Sequence, residues 1–224
     1  MENKMSELNQ LLLNFNHKKS FNNHDYYVSE SNFYAFNIID KWPKWEKKIL
    51  NICGEKFSGK THLANIFKYK SKALLVNSNK INDDTFKSIK LFENIIIDNF
   101  ENNIDEKIIY SIFNLIDQDN KYLLVNSYIP INEMKFKLPD MISRSKNCLI
   151  AKIENPDDDL IFAIILKNFS DRQITLEKKI IEFIINRIDR SYGKIYEFIY
   201  KIDELSLKKK KPITFKTIKE ILKN

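Results

Sequence analysis

The chain has 224 residues, enough for one large domain with a small appendage, and its 43% hydrophobic content excludes disorder along the whole chain. The formal net charge is +7, and the apolar runs are shorter than the ~18–20 residues of a membrane span, so a membrane role is excluded. A polar start without a secretory signal, and two distant cysteines without clustered histidines, predict a cytoplasmic protein with neither a disulfide framework nor a metal cluster.

The first part of the chain predicts a tail and then an α/β domain. Residues 1–20 are polar apart from residues 11–13 and Phe15, which is typical of a flexible tail. Helical periodicity over residues 61–70 and 105–118 alternates with short runs of Ile, Leu and Val. These runs predict five strands buried on both faces, over residues 49–53, 73–77, 94–98, 122–126 and 148–153. We therefore expect a parallel five-stranded sheet in a domain over residues 21–155.

The pattern changes after Pro156, where no further strand-like run occurs. Asp157, Asp158 and Asp159 suit the start of a helix, because the helix dipole favours negative charge there. Helices are predicted over residues 160–169, 176–187, 191–205 and 214–222, giving a small helical domain over residues 156–224. The lysine run at residues 208–211 lacks interleaved arginine and aromatic residues, which favours a solvated loop over a nucleic-acid contact.

Glycine usage marks the candidate site. The chain has only three glycines, and two of them stand five residues apart in a stretch that matches the phosphate-loop pattern G-x-x-x-x-G-K-[ST]. Backbone N–H groups of such a loop surround phosphate oxygens, while its lysine reaches the β- and γ-phosphates and its hydroxyl ligates Mg²⁺. A tight turn between strand and helix is the structural alternative. The residues of this stretch are Gly54, Glu55, Lys56, Phe57, Ser58, Gly59, Lys60 and Thr61, and His62 opens the following helix.

A carboxylate at the end of the third predicted strand completes a candidate metal site. Asp98 follows three isoleucines, and with the phosphate loop upstream it is predicted to hold Mg²⁺ through water, together with Thr61. A carboxylate is also an ordinary residue at the end of a strand, so Asp98 alone would be a weak signal.

At this point the chain resembles a known family. The phosphate loop, Asp98 and the helical C-terminal third resemble the AAA+ ATPases, and within them the DnaA/Hda branch. Residues 138–144 (Leu-Pro-Asp-Met-Ile-Ser-Arg) are similar to the family stretch LPDLxSR, and residues 40–45 resemble alphaproteobacterial Hda-like proteins. Further similar stretches are residues 26–28 with 31–32, residues 189–191 and residues 211–214.

The resemblance implies a fold, ligands and roles. It implies an AAA+ sheet with a helical lid, and ADP or ATP bound with Mg²⁺ by the phosphate loop, His62 and, near the adenine, Tyr27 and Val28. Arg144 takes the place of the arginine finger that acts in trans, with a salt-bridged surface arginine as the alternative. Asn126, which ends the fourth predicted strand, is either the first nucleotide sensor or a plain strand-ending amide.

The same resemblance implies partners. Gln10, Leu11, Leu13 and Phe15 resemble the peptide that docks into the sliding clamp of DNA polymerase III, where apolar side chains fill a pocket and Gln bonds its rim. An amphipathic first helix is the alternative for this stretch. The implied partners are the DnaA initiator and the clamp, with DNA reached indirectly through the clamp, a nucleoid-associated location, and a homo-oligomer left open.

Three departures from the family pattern shape the functional expectation. Asn99 stands where DnaA proteins carry a second acidic residue, which predicts weak intrinsic hydrolysis because an amide cannot act as a base. The sensor arginine of the lid should fall near Gly193, where Lys194 or Arg190 would have to replace it. No helix-turn-helix region is predicted before Asn224.

The expected function is therefore that of an Hda-like adaptor that stimulates hydrolysis of DnaA-bound ATP, rather than that of an initiator. The rivals are a self-turning-over ATPase of the helicase-loader kind and a tethering factor without a role in hydrolysis.

Overall fold

The computed structural model describes residues 26–101, 104–171, 176–209 and 215–222. Helices and strands alternate up to residue 152, and only helices follow in the described part of the chain. In chain order the elements are α1 Phe33–Lys41, β1 Ile49–Cys53, α2 Lys60–Ser71, β2 Leu74–Asn77, α3 Asp83–Leu91, β3 Asn94–Phe100, α4 Glu106–Gln118, β4 Tyr122–Ser127, α5 Pro139–Lys146, β5 Leu149–Lys152, α6 Asp158–Ser170, α7 Lys178–Ile185, α8 Tyr192–Lys209 and α9 Phe215–Ile221, with short 3-10 helices at Ser78–Lys80 and Ile131–Glu133.

The described strands form one parallel sheet in the order β2-β3-β4-β1-β5, which confirms the predicted fold class. Each predicted strand is present, although β2 and β5 are shorter than the apolar runs that predicted them and β3 continues to Phe100. The pairing of β3 with β4 is irregular between Ile97 and Phe100, where β3 carries one residue more than its neighbour.

Both faces of the sheet are covered, which explains why its strands are continuously apolar. Leu50, Ile52, Ile96 and Leu124 pack with α1 and α2 on one face. On the other face, residues from the alternate positions of the same strands pack against α3, α4 and α5. Because neither face meets water, successive residues along a strand can all be hydrophobic.

Two of the short helices are marked by the residues at their N-termini rather than by apolar periodicity. Helix α3 begins with a capping box, in which the side chains of Asn82 and Thr85 each accept a hydrogen bond from the other residue's N–H. Helix α5 has Pro139 at its first position, where the missing N–H costs nothing. These helices and α1 span only eight or nine residues each, so few apolar repeats are available to reveal them.

The C-terminal helices form a lid with its own core. Ile161, Ile165, Ile184, Phe198 and Ile218 are among the residues buried between α6, α7, α8 and α9. The carboxylate of Asp157 caps α6 by accepting from Leu160 N at 2.8 Å, and it also accepts from Ser31 N at 3.2 Å. These two bonds fix the direction in which the lid leaves the α/β domain.

Within the described residues, none of the helices is both long and apolar enough to span a membrane. The clamp-like stretch from Gln10 to Phe15 lies outside the described residues, and so do the side chains of residues 208–211.

We predict that Asn51→Leu lowers the free energy of unfolding by about 3 kcal/mol, because it removes three buried hydrogen bonds and leaves Ile131 N without its side-chain acceptor. The Asn51 amide donates to Val125 O at 2.9 Å and Ser127 Oγ at 2.8 Å, and its oxygen accepts from Ile131 N at 2.9 Å. Urea denaturation measures the change. The exposed Asn79→Leu variant is the control, and equal stabilities of the two variants would contradict the prediction.

Candidate functional site: a nucleotide cleft between sheet and lid

The phosphate loop connects the end of β1 to the start of α2. Gly59 adopts a left-handed conformation with φ 90°, and a Cβ atom there would lie 3.0 Å from the ring of Tyr26. Only glycine meets both conditions without strain, which explains why the motif needs it at this position. Beyond Gly59 the first turn of α2 turns its N–H groups toward the loop, and such a helix start attracts phosphate.

Lys60 lies inside the loop that it closes. Its Nζ donates to Gly54 O at 2.8 Å, to Glu55 O at 2.7 Å and to Ser58 Oγ at 3.5 Å. Burial lowers the pKa of the Lys60 ammonium, while the carboxylate of Asp98 opposes that change. The ammonium is therefore held by neutral carbonyl groups, for which phosphate oxygens are stronger competitors.

Thr61, Asp98 and Asn126 come together beneath the loop. The Thr61 hydroxyl donates to one oxygen of Asp98 at 3.0 Å, and the Asn126 amide donates to the other at 2.9 Å. The side-chain oxygen of Asn126 is buried and has no hydrogen-bond partner in the described part of the chain. A hydroxyl and a carboxylate suit Mg²⁺, which binds few protein oxygens and completes its shell with phosphate and water.

The described residues contain no group of three or more His, Cys, Asp or Glu side chains that could hold a metal by themselves. Such a cage is unnecessary for Mg²⁺ at a phosphate loop, because the nucleotide supplies the remaining oxygens. Thr61 and Asp98 therefore fit the metal site that the sequence predicts.

A cleft of about 560 Å³ opens from the loop toward the lid, a volume that suits a nucleotide-sized ligand. Of the predicted binding residues, those in the cleft are Tyr27, Lys56, Phe57, Ser58, Gly59, Lys60, Thr61 and His62, whereas Val28, Gly54 and Glu55 do not line it. Tyr26, Asn32 and Asn99, which lie in stretches that the resemblance singles out, also line the cleft. Residues of the lid, which local sequence patterns do not assign to the site, complete the lining: Leu160, Ala163, Ile164, Lys167, Asn168, Tyr192, Ile195, Tyr196 and Ile199.

Tyr26 forms part of the wall behind the loop. Its ring stacks on Phe36 at a centroid distance of 6.1 Å and meets the edge of His62 at 5.1 Å. Its hydroxyl is buried without a hydrogen-bond partner, and burial raises the pKa of this phenol. Tyr26 thus supplies an unused donor at the cleft wall, which a polar ligand group could satisfy.

The backbone conformation at position 99 favours asparagine. It adopts a left-handed conformation with φ 56°, at the irregularity between β3 and β4, and its carbonyl accepts from Ser78 Oγ at 2.5 Å. Among non-glycine residues, asparagine tolerates this conformation best. The residue lines the cleft next to Asp98, so an amide stands where the resemblance implies a second acid.

The side chain of Glu55 does not line the cleft but binds the lid. Its carboxylate accepts from Ser191 Oγ at 2.6 Å, from Tyr192 N at 2.9 Å and from Gly193 N at 3.0 Å. Burial alone would raise the pKa of this carboxyl, but the three hydrogen bonds and the charge of Lys60 bring it below its usual range. The group is therefore ionised at neutral pH.

The three cations that the resemblance singles out, Arg144, Arg190 and Lys194, do not line the cleft. Arg144 lies on α5, where its guanidinium donates to Asp117 and Asn114 of α4 and sits 5.5 Å from the ring centre of Tyr110. The two candidate sensors of the lid are also engaged, Arg190 with Asp158 at 2.9 Å and Lys194 with Glu197 at 3.0 Å. Neither of these two lines the cleft.

Comparison with known proteins agrees with this architecture. Residues 157–222 match the family model described as "Hda, lid domain". The chain is 25% identical over 214 residues to an uncharacterized protein of Haemophilus influenzae, covering 85% of this chain and 91% of that protein.

Solved structures show the same fold at low identity. Domain III of the replication initiation protein DnaA from Thermotoga maritima has a TM-score of 0.69 and 18% identity, covering 88% of this chain and 93% of that one. AMPPCP-bound DnaA from Aquifex aeolicus has a TM-score of 0.65 and 15% identity, covering 85% and 67%. The chain therefore combines the fold of these DnaA structures with a stretch that matches the phosphate-loop pattern. Residues 157–222 therefore belong to the Hda lid domain family, and the chain as a whole has the fold of DnaA domain III.

We predict that Lys60→Ala weakens ADP binding by about 100-fold, because it removes the charge-assisted hydrogen bonds to phosphate. Isothermal titration calorimetry measures the affinity, and the stabilisation of the folded protein by ADP should disappear in parallel. Lys68→Ala, which removes an exposed lysine of the same helix, is the control. Equal affinities of the wild type and Lys60→Ala would contradict the assignment of the loop.

Proposed function

We propose that the chain binds adenine nucleotide with Mg²⁺ and serves as an Hda-like adaptor that stimulates hydrolysis of ATP bound to DnaA. The observation that carries the nucleotide part is the convergence of Thr61, Asp98 and Asn126 beside the loop whose carbonyl groups hold Lys60. A DnaA that shares this fold is AMPPCP-bound, which supports an adenine nucleotide as the ligand. The match of the lid to the Hda family supports the adaptor role.

The residues of the cleft suit binding better than turnover. Lys60 and the loop amides would hold the phosphates, and Thr61 and Asp98 would hold Mg²⁺, whose chemistry is to neutralise charge on the phosphate oxygens. A base for the attacking water is missing at Asn99, because an amide does not accept a proton at neutral pH. This favours a bound nucleotide with a structural role over a self-turning-over ATPase.

Arg144 is the residue we propose to act in trans on DnaA-bound ATP. Its side chain is 27% exposed at the surface between α5 and α4. An arginine finger stabilises negative charge that develops on the transferring phosphate, and its planar guanidinium can contact two oxygens at once. To act in this way Arg144 would exchange Asp117 and Asn114 for the phosphate of the neighbouring subunit.

The contacts of Arg144 also favour a second candidate function. An arginine held by an acid and an amide of its own chain is what a structural surface residue looks like. In that case the protein would tether the clamp to DnaA without contributing to hydrolysis. Exposed ion pairs contribute ~0–1 kcal/mol, so the two roles differ strongly in what the loss of Arg144 would do.

The proposed link to the clamp depends on Gln10, Leu11, Leu13 and Phe15. The support is the sequence pattern alone, a glutamine followed by leucines and an aromatic residue in an otherwise polar stretch. Buried apolar anchors dominate the affinity of peptides of this kind. DNA would be reached through the clamp rather than by a surface of this chain.

We predict that Arg144→Ala keeps ADP and clamp binding but loses about 10³-fold or more of the stimulation of DnaA-bound ATP hydrolysis. Single-turnover hydrolysis of ATP pre-bound to DnaA, with clamp and DNA present, is the measurement. Lys146→Ala removes an exposed cation from the same helix and is the matched control. Full stimulation by Arg144→Ala would exclude the finger and favour the tethering function.

We predict that the double change Leu13→Ala and Phe15→Ala weakens clamp binding by about 10³-fold, since each buried anchor of such an interface contributes ~2 kcal/mol and every 1.4 kcal/mol is tenfold in affinity. Surface plasmon resonance with immobilised clamp gives the affinity. Thermal unfolding should be unchanged, and Asn14→Ala serves as the control within the same stretch. Wild-type affinity of the double variant would refute the clamp motif.

A further inference from the structure

The N-terminus of lid helix α8 is held by a carboxylate from the phosphate loop. The first N–H groups of a helix have no acceptor within the helix. In α8 the Tyr192 and Gly193 N–H groups donate to Glu55, while the Lys194 N–H donates to Ser191 Oγ at 3.3 Å. The Ser191 hydroxyl in turn donates to Glu55 at 2.6 Å. One side chain of the loop thus satisfies the end of an 18-residue helix, where the dipole also favours its negative charge.

The absence of a side chain at Gly193 leaves room for this contact. A Cβ atom at Gly193 would lie 2.9 Å from Oε1 of Glu55, closer than a carbon and a carboxylate oxygen normally approach. A side chain at this position would therefore push the Glu55 carboxylate away from the start of the helix. Elsewhere in the first turn of a helix, alanine would be the more stable residue.

A ring contact adds to the carboxylate contact. Phe57, at the tip of the loop, stacks on Tyr196 of α8 with centroids 3.9 Å apart and planes 5° from parallel. Phe57 adopts a left-handed conformation with φ 70°, which costs energy for a residue with a side chain. Tyr196 follows Tyr192 by one helical turn, so loop and helix touch at two successive turns.

The two contacts join the lid to the place where phosphate would bind. The Glu55 carbonyl accepts from Lys60 Nζ, and the Glu55 carboxylate holds α8. Tyr192, Ile195 and Tyr196 of the same helix line the cleft. Movement of α8 away from the loop would therefore widen the cleft and disturb Glu55, whose carbonyl accepts from Lys60.

We propose that Glu55 is the residue that positions the lid over the nucleotide, and that its hold on α8 sets the rate at which nucleotide leaves. This inference rests on the proposed nucleotide site and adds the control of its lid. In this arrangement the carboxylate of Glu55 connects the loop to the lid. The lid cations Arg190 and Lys194 do not make this connection, because they are paired with Asp158 and Glu197.

The first test uses Glu55→Gln, which keeps the shape of the side chain but loses its charge and one acceptor oxygen. In the nucleotide-free protein, NMR hydrogen exchange of the Tyr192 and Gly193 amides should quicken about tenfold, corresponding to ~1.4 kcal/mol, while Ile199 inside α8 stays unchanged. N-methylanthraniloyl-ADP should dissociate about tenfold faster in stopped-flow fluorescence. Glu197→Gln removes an exposed carboxylate from the same helix and should change neither rate.

The second test uses Gly193→Ala and separates lid positioning from general stability. Alanine favours the helix by up to ~1 kcal/mol, so the melting temperature should be unchanged or higher. The new methyl group displaces the flexible carboxylate of Glu55, so nucleotide should still leave several-fold faster. If Glu55 contributed only to stability, a Gly193→Ala protein with an unchanged or higher melting temperature would release nucleotide at the wild-type rate.

The outcomes are distinct. Wild-type exchange and dissociation rates in both Glu55→Gln and Gly193→Ala would overturn the inference. Failure of the wild-type protein to bind the fluorescent ADP would contradict the proposed function instead. The amide exchange of Tyr192 and Gly193 would still test the hold of Glu55 on the lid, because it is measured without nucleotide.

Discussion

The parallel alignment of β1, β3 and β4 is the constraint on which the site depends. In a parallel sheet the carboxyl ends of neighbouring strands meet at one edge, and here Ile52 lies opposite Asn126 while Asp98 follows Ile97 opposite Val125. The phosphate loop leaves β1 at that same edge, between β4 and β5. Ligand sites in open α/β sheets form outside the carboxyl ends of the strands for this reason. The convergence of Thr61, Asp98 and Asn126 follows from the strand order.

The three glycines of the chain lie where the phosphate loop is built and where the lid meets it. In a chain that uses glycine three times, Gly54 and Gly59 shape the loop and Gly193 lets the lid approach the Glu55 carboxylate. The loop therefore has two faces. One face presents N–H groups and Lys60 to a ligand, and the other presents the Glu55 carboxylate to α8, while Phe57 both lines the cleft and stacks on α8. With the proposed nucleotide in the cleft, this arrangement would let the nucleotide and the lid stabilise one another.

Much of the α/β domain could be predicted from local patterns. Five apolar runs gave five strands because both faces of the sheet are buried, and the spacing from Gly54 to Thr61 located the loop between β1 and α2. Short helices such as α3 escaped because their caps, not their periodicity, identify them.

The contacts of the lid could not be predicted in the same way. Glu55 and Gly193 are 138 residues apart, and a carboxylate within a loop motif carries no local sign of the helix that it caps. The same holds for Arg144, whose partners Asp117 and Asn114 depend on how α5 packs on α4. Tertiary packing, not propensity, decides such pairs.

The most direct measurement of the central claim is a crystal structure with ADP and Mg²⁺. The account predicts phosphate oxygens at Lys60 Nζ, Mg²⁺ near Thr61 and Asp98, and the Tyr192 and Gly193 N–H groups still bound to the Glu55 carboxylate. Phosphate bound directly at the N-terminus of α8, with Glu55 displaced into solvent, would contradict it. So would a nucleotide that leaves Lys60 on the carbonyl groups of Gly54 and Glu55.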